Sequence, residues 1–219
     1  VAGGCVWVRR VGGRGESDVA SRLNPLRRKG RKTWAMEGGD VRWSAPSWHC
    51  LRGGKAGKST AYWLGYKEYL EAGRSTGLPR MMGWQAEGSA PIVRGVPVEE
   101  PDTVATAIRI GNPASWQNAV GAASESSGSI DMVSDQEILD AQRLLARAAG
   151  IFVEPASAAG IAGLVKCHAA GGVPAGSTVV VTVTGHGLKD PDVAVENSRA
   201  ETILVDSVLD SVLVAIGLD

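Results

Sequence analysis

Apolar positions recur along this chain with two periods, and their order sets the expected fold class. In "STAYWLGYKEYLEAG", residues 59–73, Tyr62, Tyr66 and Tyr69 fall four and three apart, which predicts one helical face. Gly73 suits the end of that helix. "SDQEILDAQRLLARAAG", residues 134–150, carries the clearest signal. Ser134 and Glu137 have the spacing of a capping box, Ile138, Ala141, Leu145 and Ala148 share a face, and Gly150 closes the helix. A further helix is expected around "ASWQNAVGAASES", and another from Pro155 through "PASAAGIAGLVKCHAAGG". The last spans roughly residues 206–217. Between these lie strand candidates: "SWHCL", "PRMMG" ending at Gly83 before a helix of small residues, "IFVEP" as a buried strand, and the β-branched run "STVVVTVTG". The last reads as a strand covered on both faces. Strands alternate with helices, so the class is α/β with a mostly parallel sheet flanked by helices. Residues 1–45 have no clean period and read as the remainder of a preceding domain, whereas 46–219 form the organised unit.

Composition changes that picture little, with 44% hydrophobic and 21% charged residues. Cys5, Cys50 and Cys167 show no metal-ligand spacing and leave one cysteine unpaired, which favours a reducing, cytoplasmic setting. No apolar run reaches the roughly 18 residues of a spanning helix, and no signal peptide is apparent, so no membrane partner is expected. The first residue, Val1, points to a processed chain, an unusual start or a fragment. A net charge of zero hides an asymmetry, because residues 1–60 carry 13 Lys and Arg against 4 Asp and Glu. The densest patch is "RRKGRK", residues 27–32. No aromatic residues interleave with it, so a solvated or phosphate-facing loop is favoured over a nucleic-acid-binding arm.

The stretch "GGKAGKST", residues 53–60, lies close to a nucleotide-hydrolase loop. That loop needs a glycine five residues before Gly57, and Arg52 stands there. The apolar strand "TVVVTVTGHG" also lacks a terminal aspartate for magnesium, and ends instead at Thr184 and Gly185. Both departures argue against an ATPase. A glycine loop between a strand and a helix N-terminus still favours some anion.

Seven segments point to one family. "NPLRRKGRKT", "GKAGKSTAYWLGYKEY", "MMGWQAEGSAPIV", "TVATAIRIGNPASW", "GSIDMVSDQEILDAQRLLA", "GIFVEPASAAGIAGL" and "TVTGHGLKDPD" together resemble threonine synthase, in the family's order, over residues 24–219. The resemblance implies the large-domain part of a fold-type-II enzyme, with pyridoxal 5'-phosphate (PLP) as cofactor. The family's Gly-Asn-Ala-Gly-Asn phosphate loop corresponds to Gly54, Lys55, Ala56, Gly57 and Lys58, so both asparagines are lysines here. A distorted cradle is expected, because lysine tolerates left-handed backbone less well than asparagine. The resemblance places Thr184 against the pyridine nitrogen, Asn24 and Arg27 at the substrate phosphate, and Glu154 and Ser157 on the floor of the site. The family reaction converts O-phospho-L-homoserine and water to L-threonine and phosphate, in a homodimer. No Ser-Phe-Lys-Asp-like motif precedes residue 24, so no catalytic residue is assigned to the chain, and turnover by the chain alone is not expected. A non-catalytic PLP- or phosphate-binding remnant and the C-terminal half of a split enzyme are the alternatives.

Overall fold

The computed structural model describes residues 25–40, 44–197 and 203–218. Helices α1 (Pro25–Arg31) and α2 (Thr33–Asp40) lead to strand β1 (Trp48–Arg52), helix α3 (Gly57–Glu71) and strand β2 (Arg80–Ala86). The short helix α4 (Pro91–Arg94), a 3₁₀ turn (Thr106–Ile108) and helix α5 (Trp116–Glu125) precede strand β3 (Ser129–Val133). Helices α6 (Asp135–Ala149) and α7 (Pro155–Ala169) come before strand β4 (Val179–Val181). A second 3₁₀ turn (Gly187–Lys189), α8 (Pro191–Asn197) and α9 (Leu209–Ile216) follow. Among the described residues the four strands pair in parallel, in the order β3-β2-β1-β4. The expected α/β class is what the described residues form.

Period-2 alternation in β1 explains how the sheet is covered. Trp48 and Cys50 pack with Met82 of β2 and with Leu164 and Cys167 of α7. Leu51 faces the other way, into a cluster with Tyr62 and Tyr66 of α3, Ala122 of α5 and Ala35 of α2. A third cluster joins Trp84, Val133, Ile138 and the alanines of α7. Helix α7 can press close to the sheet because its inner face is built from alanine and glycine. Lys32, just after α1, is ion-paired with Glu68 of α3, which holds the first two helices on the same layer.

Several boundaries differ from the sequence expectation. β2 does not end at Gly83 but continues to Ala86, and only the four-residue α4 follows. Gly83 is a point of close approach instead, since a Cβ there would lie 3.2 Å from Ile130 Cγ1 on β3. β3 itself escaped the pattern, as its alternating "SIDMV" is mostly half-buried or exposed. "IFVEP" is not a strand. It makes one antiparallel bridge, Val153 to His186, and its amides and carbonyls pair with the turn after β4. Of the β-branched run only Val179–Val181 is strand, half-buried and paired with β1 alone among the described residues. The patch "RRKGRK" is mostly helix α1 rather than loop. The capping box of α6 forms as expected, with Gly150 at φ 66° closing the helix, although Ala148 is exposed.

His49 sits beneath the sheet with 1% exposure. Its Nδ1 is 2.8 Å from the Tyr66 hydroxyl and its Nε2 2.6 Å from the Thr182 hydroxyl, while its ring stacks on Tyr62 at 5.1 Å. Burial pushes its pKa down to about 4, so the native ring is neutral. The unfolded chain takes up a proton near pH 6.5, so the stabilisation is complete above that pH and is lost as pH falls towards 4. Urea unfolding at pH 7 and pH 4.5 is expected to show roughly 2–3 kcal/mol more loss for the wild type than for a His49→Asn variant. Equal losses would show that His49 is not the titrating group.

Candidate functional site

β1 ends on Arg52, and the chain then passes through Gly53, Gly54, Lys55 and Ala56 into α3. β2 lies on one side of β1 and β4 on the other, so the chain changes direction across the sheet at β1. The carboxyl ends of such strands diverge and leave a crevice. A Cβ on Gly54 would lie 2.5 Å from Ile108 Cγ2 and 2.8 Å from its Cα, so only glycine lets the loop rest on the turn Thr106–Ile108. Ala56 holds φ 61° and ψ −13°, a left-handed conformation that costs a residue with a Cβ about 1 kcal/mol. Followed by helical Gly57, it turns consecutive amides to one side. Among the described residues no N-cap side chain caps α3, and the first-turn N–H groups have no acceptor within the helix.

These amides border a cavity of about 250 Å³. Gly54, Lys55, Ala56, Gly57 and Lys58 line one side of it. Arg31 from α1, Arg52 from β1, Lys189 from the turn after β4 and Glu154 before α7 line the rest, with Ala107 and Ile108. The cavity is strongly cationic, and Glu154 is the one carboxylate that lines it among the described residues. Arg52 Nη1 donates to Glu154 Oε1 at 2.5 Å, and the two side chains are 15% and 2% exposed. The Ser157 hydroxyl donates to the same carboxylate oxygen at 3.3 Å and accepts from the amides of Gly185 and Thr184 at 2.9 and 3.2 Å. Thr184 Oγ1 is 3.2 Å from Ser157 Oγ.

Burial is the main reason that the Lys58 amine is pushed down to about 7. Arg52, Arg31 and Lys189 add to the effect, and Glu154 opposes it. The amine is therefore poised to gain or lose its proton near neutral pH. The cations around Lys58 outweigh the one acid, which is the electrostatic signature of a site built for an anion.

The structure brings the five loop residues Gly54 to Lys58 together on one cavity. Thr184 does not line that cavity, and connects to it through Ser157 and Glu154. Arg27 falls within α1, where only its backbone is described, and Asn24 lies outside the described residues. Arg31, Arg52 and Lys189 were not singled out as site residues. Arg52 had a visible signal, since it breaks the nucleotide-loop spacing. Arg31 belongs to the basic patch "RRKGRK", read as solvated or phosphate-facing, but only the packing of α1 shows which of its residues reaches the cavity.

A glycine loop at a strand–helix junction, opening on a cationic cavity, is the setting of a bound phosphate. The profile of the family described as "Pyridoxal-phosphate dependent enzyme" matches residues 16–185. The chain belongs to that family. It is 54% identical over 180 residues to a threonine synthase of Synechocystis sp., covering 82% of this chain and 47% of that protein. To the threonine synthase of Mycobacterium tuberculosis it is 55% identical over 179 residues, covering 82% and 50%. A third, from Bacillus sp., is 46% identical over 205 residues, covering 94% and 58%. The chain thus spans about half the length of the curated relatives it matches. Among solved structures, a threonine deaminase from T.th. shares the fold at a TM-score of 0.59 and 20% identity, over 74% of this chain and 59% of that one.

Pyridoxal phosphate is the cofactor of this family, and the residues present fit its phosphate end. Gly54 lets the loop rest directly on Ile108, residues of the uncapped first turn of α3 line the cavity, and the nearby side chains are cationic.

Proposed function

We propose that this chain is the cofactor-cradling, large-domain part of a threonine synthase, which converts O-phospho-L-homoserine and water to L-threonine and phosphate. The cationic cavity bordered by the glycine loop carries the reading, and the 54–55% identity to threonine synthases supports the choice of reaction. When bound, pyridoxal phosphate supplies an electron sink for carbanionic character next to the amino carbon. The chain's own residues bind and orient. The amides of Gly54 to Gly57, with Lys58, hold the phosphate ester. Thr184 serves the ring nitrogen, and the Ser157 hydroxyl, which accepts from the Thr184 and Gly185 amides, fixes that turn. Asn24 and Arg27 receive the substrate's phosphate, for which a guanidinium fork is suited. Lys55 and Lys58 stand at the phosphate end, so neither carries the cofactor covalently. On this reading residues 46–219 form the cofactor-phosphate unit, 1–45 belong to a preceding domain, and the protein works as a cytoplasmic homodimer without nucleic acid or membrane.

PLP is expected to bind the purified chain and to be displaced by inorganic phosphate, with pyridoxal binding about tenfold more weakly or worse. Borohydride treatment should leave no stoichiometric adduct on any one lysine. Equal binding of pyridoxal and PLP would overturn the phosphate cradle, and a single-lysine adduct would overturn the assignment of Lys55 and Lys58. Supplied in trans with the amino-terminal half of the Synechocystis threonine synthase, the chain should release phosphate from O-phospho-L-homoserine. A mixture that binds PLP but stays inert would favour a second reading, a PLP- or phosphate-binding protein without turnover. The Arg52–Glu154 pair favours that alternative, because two charged residues of the cavity are committed to each other.

A further inference from the structure

We propose that Lys58 determines which anions this cavity accepts: a dianion binds together with one proton, which the Lys58 amine takes up from solvent. The loaded site then holds an ammonium group, and the empty site at pH 8 a neutral amine. The step forms one N–H bond at Nζ and breaks no bond of the ligand. This inference rests on the phosphate-cradle reading above and adds a linkage to it.

Lys58 lies in the first turn of α3, and the charged groups facing it come from every element around the cavity. Arg52 comes from β1, Arg31 from α1, Lys189 from the turn after β4 and Glu154 from the start of α7. Glu154 is already engaged by Arg52 at 2.5 Å, so it offsets little of the remaining positive charge. In the empty cavity burial is the main penalty on a charged Lys58 amine, and the neighbouring cations Arg31, Arg52 and Lys189 add to it, with Lys55 lining the same cavity. A bound dianion reverses the balance. Two negative charges beside Nζ outweigh the neighbouring cations, so the amine charges and becomes a ligand. An asparagine at this position would hold its partner at any pH. A lysine makes affinity depend on the proton, and it favours doubly charged phosphoryl groups over singly charged ones.

Sulfate is the decisive probe, because it stays doubly charged across the pH range and any pH dependence belongs to the protein. Calorimetric titration of the full chain with sulfate, in two buffers of unlike ionisation heat, reads proton uptake directly. With the free amine at about 7, uptake should be about 0.9 proton per sulfate at pH 8 and about 0.2 at pH 6.5. Sulfate should bind about eightfold more tightly at pH 7.5 than at pH 8.5. Lys58→Asn and Lys58→Arg should each bind sulfate with no proton uptake and no such pH dependence. Sulfate binding to the wild type without uptake, or uptake that survives in the Asn variant, overturns the proposal and leaves the cradle standing. Failure to bind sulfate or inorganic phosphate at either pH overturns both.

Discussion

Glu154→Ala should cost about 3 kcal/mol of stability, because it strands a half-buried guanidinium. Glu154 is 2% exposed, and its carboxylate accepts from both Arg52 and the Ser157 hydroxyl. Removing it leaves Arg52, 15% exposed and surrounded by other cations, with no counter-charge in the cavity. The pair itself is not a strong stabiliser, since desolvating both ions offsets much of their attraction. A double-mutant cycle separates the two effects. Arg52→Met with Glu154→Met should recover most of the loss, so that the coupling in urea unfolding is about 3 kcal/mol or more. Additive single effects would show that the two charges do not depend on each other. The cycle also bears on function, because Glu154 competes with an anionic ligand for Arg52, and both line the cavity.

The second large effect is expected at Gly163. A Cβ there would lie 1.9 Å from Trp84 Cδ2 and 2.1 Å from Cε2. Trp84 is 1% exposed in the centre of β2, so neither ring nor helix can move away freely. Gly163→Ala should therefore destabilise by about 3 kcal/mol or more, at or beyond the usual range for overpacking. Trp84→Leu makes a cavity by itself, but combined with Gly163→Ala it should cost less than the two single changes added together. Thermal unfolding of the four proteins tests this. A double variant as unstable as the sum would mean that α7 is held away from the sheet by something other than the ring.

Legibility in the sequence followed the range of the forces involved. The helix α6 could be read closely because its capping box, its apolar face and its terminal glycine all act within a few residues. The glycine loop was equally local. Its spacing, its place before α3 and its fit to a phosphate were visible from eight residues. β3 and the strand ends were not, since burial and pairing define a strand, and these depend on partners far along the chain. "STVVVTVTG" shows this well. Its β-branched residues predict a covered strand, yet only three of them pair, and with β1 alone among the described residues. Gly83 resembles a strand stop until Ile130 of the neighbouring strand is seen beside it.

By itself the sequence determined the α/β class, the family resemblance and the loop that borders the cavity, because each is written in short-range spacing. The tertiary structure alone decided the electrostatics. Arg31, the Arg52–Lys58 stretch, Glu154 and Lys189 lie far apart along the chain and meet around one cavity of about 250 Å³. A lysine's charge depends on its distance from other charges and on how much water reaches it. Those quantities exist only after folding, and they turn Lys58 from one more basic residue into an amine poised near neutral pH.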